Sequence, residues 1–189
     1  MRMLIMGPPG SGKGTQASRL AQRYGVPAIS TGEIFRDHMQ RGTELGLAVQ
    51  DLIAAGEYVP DEITERIVGE RLADSPDGFL LDGFPRTTPQ LRFLDRFLSE
   101  RGLALDAVLS LDVGIDELIA RLAQRADEEN RDDDTEEAIR RRMDVYSEET
   151  EELQHEYRDR GVLQVVDGHG SVEEVHDLLV AAVASRIGE

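Results

Sequence analysis

Met3-Leu4-Ile5-Met6-Gly7-Pro8-Pro9-Gly10-Ser11-Gly12-Lys13-Gly14-Thr15 is the stretch on which the reading of this chain turns. The apolar run Met3 to Met6 is too short for a helix and has no polar interruption, so it reads as a strand buried on both faces. A glycine-rich turn follows, and from Lys13 to Tyr24 the pattern becomes that of an amphipathic helix. Strand, glycine-rich loop and helix in that order form the context of a phosphate-binding loop. Glycines let the backbone wrap closely around an oxyanion and turn successive N–H groups inward. The helix N-terminus adds its partial positive charge, and a lysine at the position of Lys13 reaches the β- and γ-phosphates. Gly10, Ser11, Gly12, Lys13, Gly14 and Thr15 are therefore candidate phosphate ligands. Gly14 stands where a magnesium-binding Ser or Thr usually follows the lysine, and the hydroxyl arrives one residue later at Thr15.

Outward from the loop, short apolar runs alternate with helical patterns along the whole chain, which predicts a parallel α/β sheet covered on both faces. Strands are expected near Met3–Met6, Pro27–Ile29, Gly78–Asp82, Ala107–Asp112 and Leu163–Val166. Helices are expected near Lys13–Tyr24, Gly32–Gln40, Glu44–Ala55, Asp61–Ala73, Pro89–Arg101, Asp116–Arg125, Asp134–Arg160 and Val172–Ile187. Asp61, Asp134 and Ser171 are the expected N-terminal caps. The helical stretch between the second and third strands is far longer than a minimal crossover, so a small helical insertion is expected beside the core.

The length, 189 residues, suits one domain with a full core. There are 21 basic and 38 acidic residues, a net charge of −17, which argues against a general grip on nucleic acid or an anionic membrane. Any anionic ligand must be held by a local cluster. Twenty of the 21 basic residues are arginine; the single lysine is Lys13, inside the glycine-rich loop. Cysteine is absent, which removes disulfides, thiol nucleophiles and cysteine-ligated zinc and fits a reducing cytoplasm. The longest apolar run, Leu178 to Ala184, is seven residues and does not span a bilayer.

Two further features point to chemistry. Phe79-Leu80-Leu81-Asp82 is an apolar strand ending in a carboxylate, a pattern suited to holding magnesium through water. Between Asp127 and Arg160 there are 15 acidic and 6 basic residues, mostly a solvated helix face. Ile139, Met143, Tyr146, Thr150, Leu153 and Tyr157 mark the buried stripe of that helix, and Arg142 falls beside it, where a guanidinium needs an anionic partner. His38, His155, His169 and His176 are scattered and read as surface residues.

The loop Gly-x-Pro-Gly-x-Gly-Lys-Gly-Thr, then Ser30-Thr31-Gly32 with Arg36, then Leu81-Asp82-Gly83-Phe84-Pro85-Arg86 with Gln90, resembles the adenylate kinase group of nucleoside monophosphate kinases. The resemblance extends over nearly all of the chain. It implies a five-stranded parallel P-loop core formed by residues 1–29, 60–124 and 136–189 of a single domain, a nucleotide-binding insertion at 30–59 and a lid at 125–135. It also implies that Thr31, Arg36, Glu57, Tyr58, Val59, Gly83, Phe84, Pro85, Arg86 and Gln90 bind AMP, the 57–59 segment through its backbone. By the same resemblance Arg121 and Arg125 cover ATP, Gly168 meets its adenine, and Arg131 and Arg142 reach across the transferring phosphates toward AMP. Lys13, Arg86, Arg125, Arg131 and Arg142 form the implied catalytic set, with Asp82 as a water-mediated magnesium ligand. A planar guanidinium suits these roles because it binds phosphate bidentately and stacks on bases.

Only five residues separate Arg125 from Arg131, so the lid resembles the family's short form, without zinc. Glu57 replaces a lysine frequent in the family. The implied activity is reversible phosphoryl transfer from ATP to AMP, giving two ADP, with magnesium accompanying ATP. The expected setting is a cytoplasmic monomer that binds neither nucleic acid nor membrane. A kinase of UMP, CMP or GMP, or a nucleotide-dependent switch, is the alternative.

Overall fold

The computed structural model describes residues 1–129 and 135–188. The chain runs β1 (Arg2–Met6), α1 (Lys13–Tyr24), β2 (Ala28–Ser30), α2 (Thr31–Gln40), α3 (Glu44–Ala54), α4 (Asp61–Ala73), β3 (Phe79–Asp82), α5 (Thr88–Ser99), β4 (Ala107–Asp112) and α6 (Ile115–Glu129). It continues through α7 (Glu136–Val145), a π-helical turn at Tyr146–Thr150, α8 (Glu151–Asp159), β5 (Leu163–Asp167) and α9 (Val172–Ile187). All five strands are parallel, in the order β2-β3-β1-β4-β5. The central strand β1 shows why its sequence is apolar throughout. Leu4 and Met6 face a core with Leu81, Leu94 and Tyr157, whereas Met3 and Ile5 face a second core with Leu20, Leu109 and Leu179. A third cluster, Phe35, Val49, Val59 and Ile67, joins α2 and α3 to α4.

The parallel order places every strand's C-terminal end on one edge of the sheet, where open α/β sheets hold their ligands. Gly7 follows β1, Thr31 follows β2, Gly83 follows β3 and Gly168 follows β5, so residues distant in sequence share that edge.

Three expectations are corrected. The continuous helix predicted for 134–160 is divided by the π-helical turn at Tyr146–Thr150. Such turns widen a helix locally and recur at functional sites; here the turn carries buried Thr150, whose hydroxyl donates to the Arg86 carbonyl at 3.0 Å and meets the Tyr58 hydroxyl at 2.7 Å. The cap of α7 is Thr135, whose hydroxyl accepts from the Ala138 N–H at 3.2 Å, and Asp134 lies outside the described residues. Asp61 is the first residue of α4 rather than its cap; Pro60 occupies the cap position, and the Asp61 carboxylate is turned to α5. Ser171 caps α9 as expected, completing a capping box with Glu174.

Candidate active site

A cavity of about 690 Å³ opens along the C-terminal edge of the sheet. On one side lies the glycine-rich loop. Gly12 has φ +89° and precedes α1, whose first turn is Lys13, Gly14 and Thr15, so unpaired helix-start N–H groups belong to the loop. Gly10 is required here on two grounds: φ is +82°, and a Cβ would lie 2.8 Å from Leu122 Cγ. The Lys13 ammonium folds back over the loop, donating to the Gly7 and Pro8 carbonyls at 2.7 and 2.9 Å. That is where the charge must sit to meet a phosphate seated in the loop. Ser11 is the exception among the loop candidates. Its buried hydroxyl lies beneath the loop, without a hydrogen-bond partner among the described residues, and does not line the cavity. Whatever Ser11 offers a ligand comes from its backbone.

Arg121, in the second turn of α6, donates from Nε to Glu117 at 2.9 Å and from Nη2 to the Gly168 carbonyl at 3.0 Å. Two residues that the sequence linked to one nucleotide, 47 positions apart, are thus in direct contact. The next residue, His169, accepts from the Gly114 N–H at Nε2 over 3.2 Å and donates from Nδ1 to Asp167 at 2.6 Å, tying the β4–α6 and β5–α9 loops together. The backbone and side-chain hydrogen bonds from His169 hold the Asp167 carboxyl below its ordinary range. Arg125 lies in α6, but its side chain, like the whole of Arg131, falls outside the described residues.

The opposite side of the cavity is built by α2, the end of α3, the β3–α5 loop, α7 and the π-helical turn. Thr31 is buried and donates to the Gly83 carbonyl at 2.9 Å. Arg86 donates from Nε to the same carbonyl at 2.8 Å, and its guanidinium lies 4.9 Å over the Tyr58 ring. Arg36 and Arg142 both line the cavity. Arg142 reaches the Ile53 carbonyl at 3.3 Å, so the arginine beside the buried stripe points across the cavity to α3. Val59, Phe84, Pro85 and Gln90 complete the wall. Glu57 turns its carboxylate to Arg141, with contacts of 2.7 and 3.3 Å, and that hydrogen bond lowers its pKa. The carboxylate is thereby occupied by an arginine.

Asp82 lies between the two sides, 9% exposed, with Oδ2 accepting from the Ser30 hydroxyl at 3.2 Å. A Cβ on Gly14 would stand 3.9 Å from the same oxygen, so the loop residue that lacks the usual hydroxyl faces this carboxylate. The donors suit magnesium, which keeps most of its waters and needs only one or two carboxylates beside substrate phosphates. Among the described residues no group of three or more His, Cys, Asp or Glu is arranged to hold a metal without them.

Two of the groups that organise the site carry no sequence signal of their role. Asp61 resembles a helix cap, and Thr150 sits in an apolar stripe; only the hydroxyl within that stripe was an available clue.

A glycine-rich loop facing a strand-terminal carboxylate, with arginines on the far wall of the same cavity, fits the class of P-loop phosphotransferases. The adenylate kinase family model matches residues 5–162. Curated relatives include the adenylate kinase of Clavibacter michiganensis, 53% identical over 98% of this chain and 94% of its own length. Those of Kocuria rhizophila (52% identical; 96% of this chain, 98% of its own) and Thermobifida fusca (49% identical; 98% and 100%) are similar over nearly their full lengths. The chain belongs to the adenylate kinase family, and its reaction is phosphoryl transfer between ATP and AMP.

Proposed function

We propose that the loop side of the cavity holds ATP and the insertion side holds AMP, so that the γ-phosphoryl group passes in line from one to the other. The observation that carries this division is the single cavity in which Lys13 lies at one side and Arg36, Arg86 and Gln90 at the other. The acceptor oxygen of AMP is already ionised near neutral pH, so no general base is required. Catalysis reduces to alignment, exclusion of water and neutralisation of charge.

In this reading the loop from Gly10 to Thr15 cradles the ATP phosphates, and the Lys13 ammonium exchanges its two carbonyl contacts for phosphate oxygens. Arg121 and Gly168, already in contact, form the rim over the ATP base, with Arg125 beside them. Thr31, Arg36, the backbone of residues 57–59, the 83–86 segment and Gln90 hold AMP. Arg142 and Arg131 clamp the phosphates between the two sites. Magnesium, when bound with ATP, would neutralise phosphate charge, and Asp82 is the residue that would hold it through water. We read the chain as one domain of core 1–29, 60–124 and 136–189, with insertion 30–59 and short lid 125–135. We read the molecule as a cytoplasmic monomer. The absence of cysteine supports the compartment, and no helix of the described residues is long and apolar enough to cross a membrane.

A coupled assay with ATP, magnesium and a panel of nucleoside monophosphates tests the reading, run on the natural chain and on Lys13→Ala. AMP is the expected best acceptor. Lys13→Ala should lose on the order of a hundredfold or more in kcat, the scale for removing an electrostatic donor at a reacting group. Its melting temperature should stay near that of the natural chain, because the Lys13 ammonium donates to the loop carbonyls of Gly7 and Pro8 and takes no part in the apolar core. Near-normal turnover in folded Lys13→Ala would refute the assignment of the loop.

A further inference from the structure

Asp61 is the first residue of α4, directly after the segment by which the insertion rejoins the core. Its carboxylate makes two contacts, both to the start of α5. Oδ1 accepts from Gln90 Nε2 at 2.7 Å, and Oδ2 accepts from the Thr87 hydroxyl at 3.0 Å. The Thr87 oxygen in turn accepts from the Gln90 N–H at 3.3 Å, which leaves its proton free for Asp61. At the other end of the Gln90 amide, Oε1 accepts from the Arg86 N–H at 2.8 Å. Gln90 is 2% exposed, so these are contacts without competition from bulk water.

The two ends together determine which way the amide faces. If it were turned over, its NH₂ would meet the Arg86 N–H, donor against donor, and its oxygen would meet a carboxylate, acceptor against acceptor. A primary amide has two N–H donors and two acceptor lone pairs. Asp61 and Arg86 take one of each, so one N–H and one lone pair remain for the cavity, in a fixed order.

We propose that Asp61 is a specificity-determining positioning residue, which selects adenine at the acceptor site by holding the Gln90 amide in one orientation. The inference rests on the reading of Gln90 as a contact of the acceptor base. Adenine presents an amino donor and a ring-nitrogen acceptor side by side. Hypoxanthine, of the same size, presents a carbonyl acceptor and a ring N–H in the inverted order. An amide of fixed polarity matches the first and opposes the second, whereas an amide free to turn over matches either.

The test is steady-state kinetics with AMP and with inosine monophosphate on the natural chain, Asp61→Ala, Asp61→Asn and Gln90→Ala. Asp61→Ala removes the acceptor for Nε2. It should raise the KM for AMP and lower the preference for AMP over inosine monophosphate, each about tenfold, the equivalent of one hydrogen bond. Its kcat and its KM for ATP should change little. Asp61→Asn keeps an acceptor oxygen while losing the charge at the start of α4, and it should recover most of both quantities. Equal loss in the Ala and Asn variants, or an unchanged preference in Asp61→Ala, overturns the proposal. If Gln90→Ala leaves the KM for AMP unchanged, the reading of Gln90 fails and the proposal falls with it. If Gln90→Ala weakens AMP while Asp61→Ala does not, only the role of Asp61 fails. NMR of the natural chain gives a measurement independent of any variant's folding. One Gln90 amide proton should be shifted downfield and protected from exchange, and an averaged, unprotected pair would overturn the proposal.

Discussion

Replacing Gly83 by alanine tests both the backbone and the acceptor pocket in one step. Gly83 has φ +77°, and a Cβ there would stand 2.7 Å from Thr31 Oγ1, 2.7 Å from Arg86 Nη2 and 3.4 Å from Arg86 Nε. The left-handed backbone alone costs an L-residue about 1–2 kcal/mol. Relief of the overlap requires Thr31 and Arg86 to move, yet both donate to the Gly83 carbonyl, at 2.9 and 2.8 Å. Losing both bonds adds about 1 kcal/mol each, and the stiffer unfolded chain returns about 0.4–1 kcal/mol. The net loss is about 2–3.5 kcal/mol, which for a chain of this size lowers the melting temperature by roughly 4–14 °C. Gly102→Ala is the control, because Gly102 has φ +65° with nothing within 4 Å of its Cβ and lies outside the cavity lining. It carries the backbone cost alone. Differential scanning fluorimetry and steady-state kinetics then separate the two parts. Gly83→Ala should raise the KM for AMP about tenfold or more, the scale of losing more than one hydrogen bond, with a much smaller change for ATP. Gly102→Ala should change neither. If Gly83→Ala and Gly102→Ala melt together and share the natural KM for AMP, the close approach of Gly83 to Thr31 and Arg86 is not as described.

The two arginines that anchor opposite sides of the cavity should separate in kinetics. Arg86→Ala should raise the KM for AMP far more than that for ATP, and Arg121→Ala, which frees the Gly168 carbonyl, should do the reverse; the opposite pattern would exchange the pockets. Stability should fall on acidification. Hydrogen bonds to Arg141, to Arg19, to Ser171 and to His169 lower the carboxyl pKa of Glu57, Glu173, Glu174 and Asp167 respectively. A carboxyl depressed by folding stabilises the folded state above its unfolded pKa and loses that contribution as pH falls through the folded value. The melting temperature should therefore decline below about pH 4.5, where free carboxyls begin to protonate. The decline should be shallower when Glu57, Glu173 and Glu174 are all glutamine, and parallel curves would refute the assignment.

The sheet was legible because its signals are local. In β1 the unbroken apolar run reports burial on both faces, and at Lys13 to Tyr24 the change of period marks the turn from strand to helix. Lys13, Arg36, Arg86 and Arg142 were singled out by the patterns around them, and all four line the one cavity. Asp61 and Thr150 were not legible, for a shared reason. An aspartate after Pro60 and before a helical pattern satisfies every local condition for a cap, and nothing nearby reveals partners 26 and 29 positions away. Thr150 keeps the spacing of an apolar stripe, while its hydroxyl is held by Tyr58 and Arg86, 92 and 64 positions earlier. Periodicity reports which face of an element is buried; it does not report which atom waits there. The division of the long helix at Tyr146 follows the same logic, since no glycine or proline announces it.

A chain of net charge −17 that binds polyphosphates must keep its global field apart from its local one. At physiological ionic strength the Debye length is about 8 Å, so exposed carboxylates more than that distance from the cavity act weakly on a seated ligand. Among the described residues the cavity reverses the chain's balance: Lys13, Arg36, Arg86, Arg121 and Arg142 line it against three acidic residues, Glu33, Glu57 and Asp82. Of these, Glu57 is held by Arg141, and Asp82 accepts from the Ser30 hydroxyl. The basic groups are also not left loose. Lys13, Arg86, Arg121 and Arg142 each hydrogen-bond to a backbone carbonyl of the cavity wall or its rim. Carbonyl contacts fix a cation's position without cancelling its formal charge; Arg121 differs in that its Nε also meets the Glu117 carboxylate, at 2.9 Å. Cations held in this way would need little reorganisation if phosphate oxygens took the place of those carbonyls, the condition under which electrostatic stabilisation of a transferring phosphoryl group is most effective.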